Sequence, residues 1–193
     1  MIASILSKGN MTQAFHQVRK NQGAAGVDGI SVNDLAANLR QRWDSIKHQV
    51  ETGSYQPDPI LGVEIPKPSG KKRLLGIPTV VDRVLQQALQ QQLSPIFEPD
   101  FQQHSYGFRP NRNAHQAVQQ ALENINDGYQ DIVDIDLKSF FDEVSHELLM
   151  TLIYRKVKCL LTLKLIRKFL RAPISINGKL VKRRKGVPQG SPL

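Results

Sequence analysis

Apolar residues recur at helical spacing along much of this chain and alternate with polar ones in short intervening runs. Leu35, Leu39, Trp43 and Ile46 mark a first helix, with Ser31 or Asn33 placed to cap it. Val81, Val84, Leu85, Ala88, Leu89, Leu93 and Ile96 mark a second, opened by a Thr79/Asp82 capping box and ended by Pro95 and Pro99. Its glutamines, Gln86, Gln87 and Gln90 to Gln92, read as the solvent face. Ala114, Ala117, Val118, Ala121, Leu122 and Ile125 mark a third, closed by Asp127-Gly128. Ser145 is an N-cap ahead of Leu148, Leu149, Leu152 and Ile153, and helical spacing continues to Leu170. Two hairpins are expected: Val63 to Ile77 around Pro68-Ser69-Gly70, and Ile174 to Val181 around Asn177-Gly178. Residues 9–30 read as polar and glycine-rich, closing in a shaped loop from Gly23 to Gly29, and Gly53 to Pro59 breaks regularity again. The pattern describes an α+β chain, helix-rich with short antiparallel strands and hairpins.

The central stretch is Asp131 to Leu149. Val133, Ile135 and Leu137 alternate with Ile132, Asp134 and Asp136, which predicts a short strand with the apolar trio on a core and both carboxylates on the other face. Such a pair is either solvated charge or half of a multivalent-cation site. Nucleotide-sugar transfer and phosphoryl transfer both use one. Phe140 and Phe141 follow directly, and adjacent side chains are expected to diverge, Phe140 into the core and Phe141 toward the carboxylates.

Composition narrows the class. The 193 residues, 40% hydrophobic and 22% charged, suit one or two compact units. No secretory signal and no apolar run near the roughly 20 residues of a membrane span occurs, so a soluble, cytoplasmic protein is expected. The single Cys159 reads as a buried thiol, and the scattered histidines argue against zinc. Net charge is +9, and its distribution matters more. Up to Glu147 acids and bases are about equal; from Leu148 to Leu193 there are twelve Lys or Arg and no acid, including Lys182-Arg183-Arg184-Lys185. That stretch is a phosphate-backbone surface or a solvated basic face; no lipidation motif favours a membrane.

Three other segments carry chemistry. Lys67 and Arg73 sit on opposite arms of the first hairpin, with Lys71 and Lys72 at its tip, so the hairpin can close on a polyphosphate. The loop from Phe101 to Arg112, which includes Tyr106, Phe108 and Arg109, either stacks on bases and contacts phosphate or anchors its aromatics in the core. Gly186-Val-Pro-Gln-Gly-Ser-Pro-Leu193 is a loop whose backbone can approach a ligand closely.

Ile65-Pro-Lys-Pro-Ser-Gly70, Arg73-Leu-Leu-Gly-Ile-Pro78, Ser105-Tyr-Gly-Phe-Arg-Pro110, the Asp136 stretch and Gly186-Val-Pro-Gln-Gly190 occur in an order that resembles bacterial reverse transcriptases. With Gly26-Val-Asp-Gly29 they are most similar to group II intron-encoded proteins, which combine reverse transcription with maturase activity. Retron, defence-associated and CRISPR-associated enzymes are alternative relatives. The resemblance implies the fingers and the beginning of the palm of a right-hand polymerase: residues 1–130 as N-terminal extension and fingers, 131–193 as the start of the palm, with 148–185 packing back on the fingers. It implies Asp136 as the ligand shared by two Mg²⁺ ions, with Asp134 second to it and the carbonyl of Ile135 or Leu137 adjacent. It implies Lys67 and Arg73 on the incoming triphosphate, Phe141 as a gate against the ribose 2′-OH, and Gln189 and Gly190 lining the nucleotide pocket. Arg109, Arg112, Lys182, Arg183, Arg184 and Lys185 are the expected nucleic-acid contacts.

One departure bears on function. The family's second carboxylate motif, an aromatic-Ala-Asp-Asp turn, does not occur before Leu193, and no other Asp-Asp pair exists. Two-metal chemistry holds its ions about 3.5–4 Å apart between several carboxylates, so these residues alone are expected not to polymerise. Two readings follow: part of an RNA-directed DNA polymerase acting with RNA template, DNA primer and dNTP, or a non-catalytic RNA-binding module of maturase type on intron RNA. Oligomeric state is not legible.

Overall fold

The computed structural model describes residues 1–66, 70 and 72–192. The turn residues Lys67, Pro68 and Ser69, and Lys71, therefore lie outside the described residues. In order the chain forms α1 (Ile2–Ile5), α2 (Lys8–Lys20), α3 (Leu35–Glu51), β1 (Ile60–Pro66), β2 (Lys72–Ile77), α4 (Val80–Phe97), α5 (Ala114–Asn126), α6 (Phe140–Glu143), α7 (His146–Lys156), α8 (Leu160–Arg171), β3 (Ile174–Ile176) and β4 (Lys179–Val181). It divides into two compact units, residues 1–92 with 139–193, and residues 93–138.

The first unit is built round α4. Val80, Val81, Val84, Leu85, Ala88 and Leu89 are buried, but so are Thr79, Asp82, Arg83 and Gln86. Each polar group holds a different neighbouring segment, which is how a helix can be enclosed without stranding its polar atoms. Asp82 accepts from the Tyr55 hydroxyl at 2.7 Å, from the Asp58 N–H at 3.0 Å and from the Thr79 hydroxyl at 3.0 Å. Arg83 Nη2 donates to Ala24 O at 2.6 Å, tying down the glycine-rich loop. Gln91 and Gln92 donate to the Oδ1 of buried Asn10 at 2.8 and 2.9 Å, and Asn10 Nδ2 returns a bond to Ala88 O. Gln86, Gln91 and Gln92, read as part of the polar face, are thus docking contacts, while Gln87 bonds to Gln90 and Gln91 of its own helix.

The sheet runs β2-β1-β3-β4, antiparallel except for a parallel β1–β3 pairing at Ile60↔Ile174 and Leu61↔Ser175. Ile60, Ala172 and Ile174 form a core cluster beneath it. The Asn177-Gly178 turn forms as expected, with φ of 50° and 78°. Thr79 Oγ1 accepts from the Asp82 N–H and Ser145 Oγ from the Leu148 N–H, as their cap roles require.

Other expectations are corrected. Most of the first half of the 9–30 segment, read as polar and glycine-rich with no helix assigned, lies in α2, whose Met11, Ala14 and Val18 are buried at helical spacing. Asp34, not Ser31 or Asn33, precedes α3, and the Ser31 hydroxyl instead accepts from the Asn33 N–H. The helical pattern after Ser145 breaks at Val157–Cys159 and restarts, with Cys159 half-buried at the start of α8.

In the second unit Arg109 organises its loop. It donates to Glu98 Oε1 from Nε and Nη2 at 2.9 and 2.8 Å, to Gln102 O at 2.7 Å and to Ser105 O at 3.0 Å, and lies over the Phe101 ring. A capping box between Asn113 and Gln116 opens α5. Its apolar stripe, Val118, Leu122 and Ile125, is exposed. The predicted strand over 131–137 is not formed, and Ile132, Val133, Ile135 and Leu137 are 63–82% exposed. Alternation makes a strand only where a neighbour pairs its backbone, and no described segment does so here.

Candidate nucleotide-binding site

Arg73 stands exposed on β2, an edge strand whose outward N–H groups need partners. The Gly186–Ser191 loop supplies them: Gly76 N donates to Gln189 O at 3.1 Å, and Arg73 Nε donates to the Gln189 side-chain oxygen. Gly76 admits this approach because a Cβ there would meet Pro188 at 2.6 Å. Further on, the Ser191 hydroxyl donates to the buried Gln86 of α4.

At its other end the loop rests on the turn that carries the two phenylalanines. Val187 N donates to Phe141 O at 2.7 Å and Gly186 N to Val144 O at 2.8 Å. Gly186 has φ +78° and its missing Cβ would lie 2.7 Å from Asp142 O, so only glycine fits. Its carbonyl accepts from buried His146 Nε2 at 2.7 Å and from Arg183 Nη2. A cavity of about 80 Å³ lies between the loop and the turn, lined by Gly76, Asp142, Arg183, Pro188 and Gln189 among others. Burial holds the Arg183 guanidinium below its usual value, with the nearby Asp142 charge opposing.

Arg73, Phe141, Gln189 and Gly190 are therefore brought into one neighbourhood within the first unit, from β2, α6 and the terminal loop. Lys67 lies outside the described residues. Phe140 and Phe141 do not diverge: their rings meet edge to face at 5.5 Å, and they are 52% and 46% exposed. Phe140 is not the expected core residue, since α6 buries none of its residues. Ser139 before it has φ +54°, a left-handed conformation that turns the chain sharply.

Asp134 and Asp136 belong to the second unit, both exposed, with Ile135 and Leu137 on the same unpaired stretch. Their oxygens are the hard donors Mg²⁺ prefers. Among the described residues, however, no group of three or more His, Cys, Asp or Glu could hold a metal ion. These residues fit part of a two-ion site and not the whole of one.

Of the expected nucleic-acid contacts, Arg109 is corrected: its side chain is 9% exposed and committed to its own loop. Arg112 lies over Tyr106, while Phe108 is fully exposed rather than anchored in a core. Arg183 is turned inward, Lys185 pairs with Glu143, and Arg167 and Arg171 both pair with Glu147. Lys182 and Arg184 are exposed and make no ion pair among the described residues. A larger groove of about 670 Å³ lies between α2 and α3, away from Arg73; Phe15, Leu39 and Trp43 line it with Lys8, Arg40 and Lys47. His146 and Gln86 escaped the sequence reading; the one available signal for His146 was its i,i+4 spacing to the buried Met150.

A largely buried α4, a short mixed sheet and a loop closing on Arg73 make up a mixed α+β fold. The chain belongs to the reverse transcriptase (RNA-dependent DNA polymerase) family, whose sequence profile matches residues 65–193. It is 36% identical to Protein YkfC of Escherichia coli K12 over 90% of this chain and 48% of that protein. It is 34% identical to the group II intron-encoded protein LtrA of Lactococcus lactis subsp. cremoris, over 93% of this chain and 30% of LtrA. A partial Cas6-RT-Cas1–Cas2 complex shares the fold with a TM-score of 0.65 at 23% identity, over 99% of this chain and 32% of that one. The chain thus spans between 30% and 48% of the length of these relatives. No helix among the described residues is long and apolar enough to cross a membrane.

Proposed function

We propose that this chain supplies the nucleotide-binding part of an RNA-directed DNA polymerase of the group II intron type, with residues 1–130 as N-terminal extension and fingers and 131–193 opening the palm. The observation that carries this reading is the bond from Arg73 to Gln189, which joins the two motifs expected on the incoming nucleotide. In this reading Arg73, with Lys67, takes the dNTP triphosphate, a guanidinium fork and a point charge on neighbouring phosphate oxygens. Gln189 and Gly190 line the base and sugar pocket, and the exposed Phe141 ring excludes a 2′-OH by steric overlap. Asp136 is the carboxylate offered to Mg²⁺, with Asp134 and the carbonyls of Ile135 and Leu137 beside it. Bound Mg²⁺ would neutralise charge on the phosphates. RNA template, DNA primer and intron RNA are the proposed partners, reached through Lys182, Arg184 and Arg112.

The test is equilibrium binding of dTTP with Mg²⁺ to the 193-residue chain. Wild type should bind, and Arg73→Ala should weaken binding about tenfold, the loss expected for a charged hydrogen bond. Failure of the wild-type chain to bind would overturn the reading. A second reading, a non-catalytic RNA-binding module, draws on the groove between α2 and α3, where aromatic and basic side chains meet without an acid among the lining residues. RNA binding without any dTTP binding would favour it.

A further inference from the structure

We propose that His146 and Arg183 are positioning residues of the nucleotide site, a clamp on the Gly186 carbonyl that sets where Gln189 meets Arg73. The proposal rests on reading that site as nucleotide-binding. Both residues act through the loop and not on the ligand.

A carbonyl oxygen has two lone pairs, and Gly186 O uses both: His146 Nε2 donates at 2.7 Å, and Arg183 Nη2 donates beside it. Because a carbonyl only accepts, His146 carries its proton on Nε2. Among the described residues neither its buried Nδ1 nor the buried Nη1 of Arg183 has a hydrogen-bond partner. Stranding a buried polar atom costs about 1–3 kcal/mol, and a residue amid four successive bases would ordinarily point to water. Arg183 instead reaches forward three residues along the chain, and His146 reaches across forty. Two donors held at that cost converge on one atom, and that atom begins the loop.

The consequence is geometric. The peptide between Gly186 and Val187 is held on one side by the clamp and on the other by the bond from Val187 N to Phe141 O. With Gly186 at φ +78° and no room for a Cβ, the peptide is held in the left-handed region by its contacts alone. Release of the carbonyl frees it to rotate. Gln189 is three residues further on, so a rotation at Gly186 carries it away from Gly76 and Arg73. The bonds at Gly76 and Ser191 hold only the far end.

The experiment compares wild type with His146→Leu, His146→Gln and Arg183→Met, all in the 193-residue chain. Amide hydrogen exchange is read at Val187 and Gly76, and dTTP binding is measured with Mg²⁺. His146→Leu and Arg183→Met should each raise exchange at these two amides at least tenfold and weaken dTTP about five- to tenfold. His146→Gln keeps a donor near the Nε2 position and should stay within about twofold of wild type. Exchange within α4 and α8 should be unchanged in all three. Unchanged dTTP affinity in both donor-less variants would overturn the proposal. So would a loss accompanied by equal loosening of α4 and α8, since that is general destabilisation. If His146→Leu fails to fold, Arg183→Met decides by the same criteria. If wild type binds no dTTP, the nucleotide-site reading itself is wrong and the proposal falls with it; loop exchange then still tells whether the clamp exists.

Discussion

Asp82 gives the sharpest stability prediction. Its carboxyl is 1% exposed, faces no cation among its hydrogen-bond partners, and is pushed up from an ordinary 3.8 to about 6. Burial is the main cause, opposed by donors from Tyr55, Thr79 and the Asp58 N–H. The folded state therefore holds the proton more tightly than the unfolded chain. Between pH 3.8 and 6 the native protein binds more protons, so stability falls as pH rises through this window and levels off above it. A difference of about two pH units, at 1.36 kcal/mol each, makes the native state about 3 kcal/mol less stable at pH 7 than at pH 3.5 from this group alone. Other acids titrate too, so the perturbation is Asp82→Asn, which removes this titration and leaves the rest. Urea unfolding of both proteins at pH 4, 5, 6 and 7 isolates the effect. The stability of wild type relative to Asp82→Asn should fall by about 2–3 kcal/mol across that range. Parallel profiles would refute the argument, and a difference that grows with pH would mean the carboxylate is favoured by its donors more than it is penalised by burial.

Lys182 and Arg184 project freely while Arg183 is turned inward, so Lys182→Gln and Arg184→Gln should each reduce the slope of log K against log salt for RNA by about 0.7–0.9; two flat substitutions would remove this surface from the RNA interface. Phe141→Ala should raise UTP binding relative to dTTP several-fold, whereas Phe140→Ala should leave the ratio unchanged. Because the Phe140 ring is half exposed, its truncation should cost well under the roughly 3–5 kcal/mol of a buried aromatic, read by urea unfolding; a ratio unmoved by Phe141→Ala would retire the gate assignment.

Local chemistry determined much of this chain from sequence alone. The Asn177-Gly178 turn and the Ser145 cap depend on residues within a few positions and form as read, while of the Thr79/Asp82 box the Thr79 hydroxyl caps the Asp82 N–H and the Asp82 carboxylate turns instead to Tyr55, Asp58 and the Thr79 hydroxyl. Arg73, Phe141, Gln189 and Gly190 were legible as a group because ordered motifs carried them. The tertiary structure alone decided which polar residues lie inside. Gln86, Gln91 and Gln92 look like a solvent face until Ser191 and Asn10 are set against them. It decided, too, that Asp131 to Leu137 does not become a strand, since alternation specifies a face but cannot supply the neighbour that pairs the backbone. The clamp on Gly186 was invisible for the same reason: it joins groups three and forty residues away, and only folding brings a histidine and an arginine to one carbonyl oxygen.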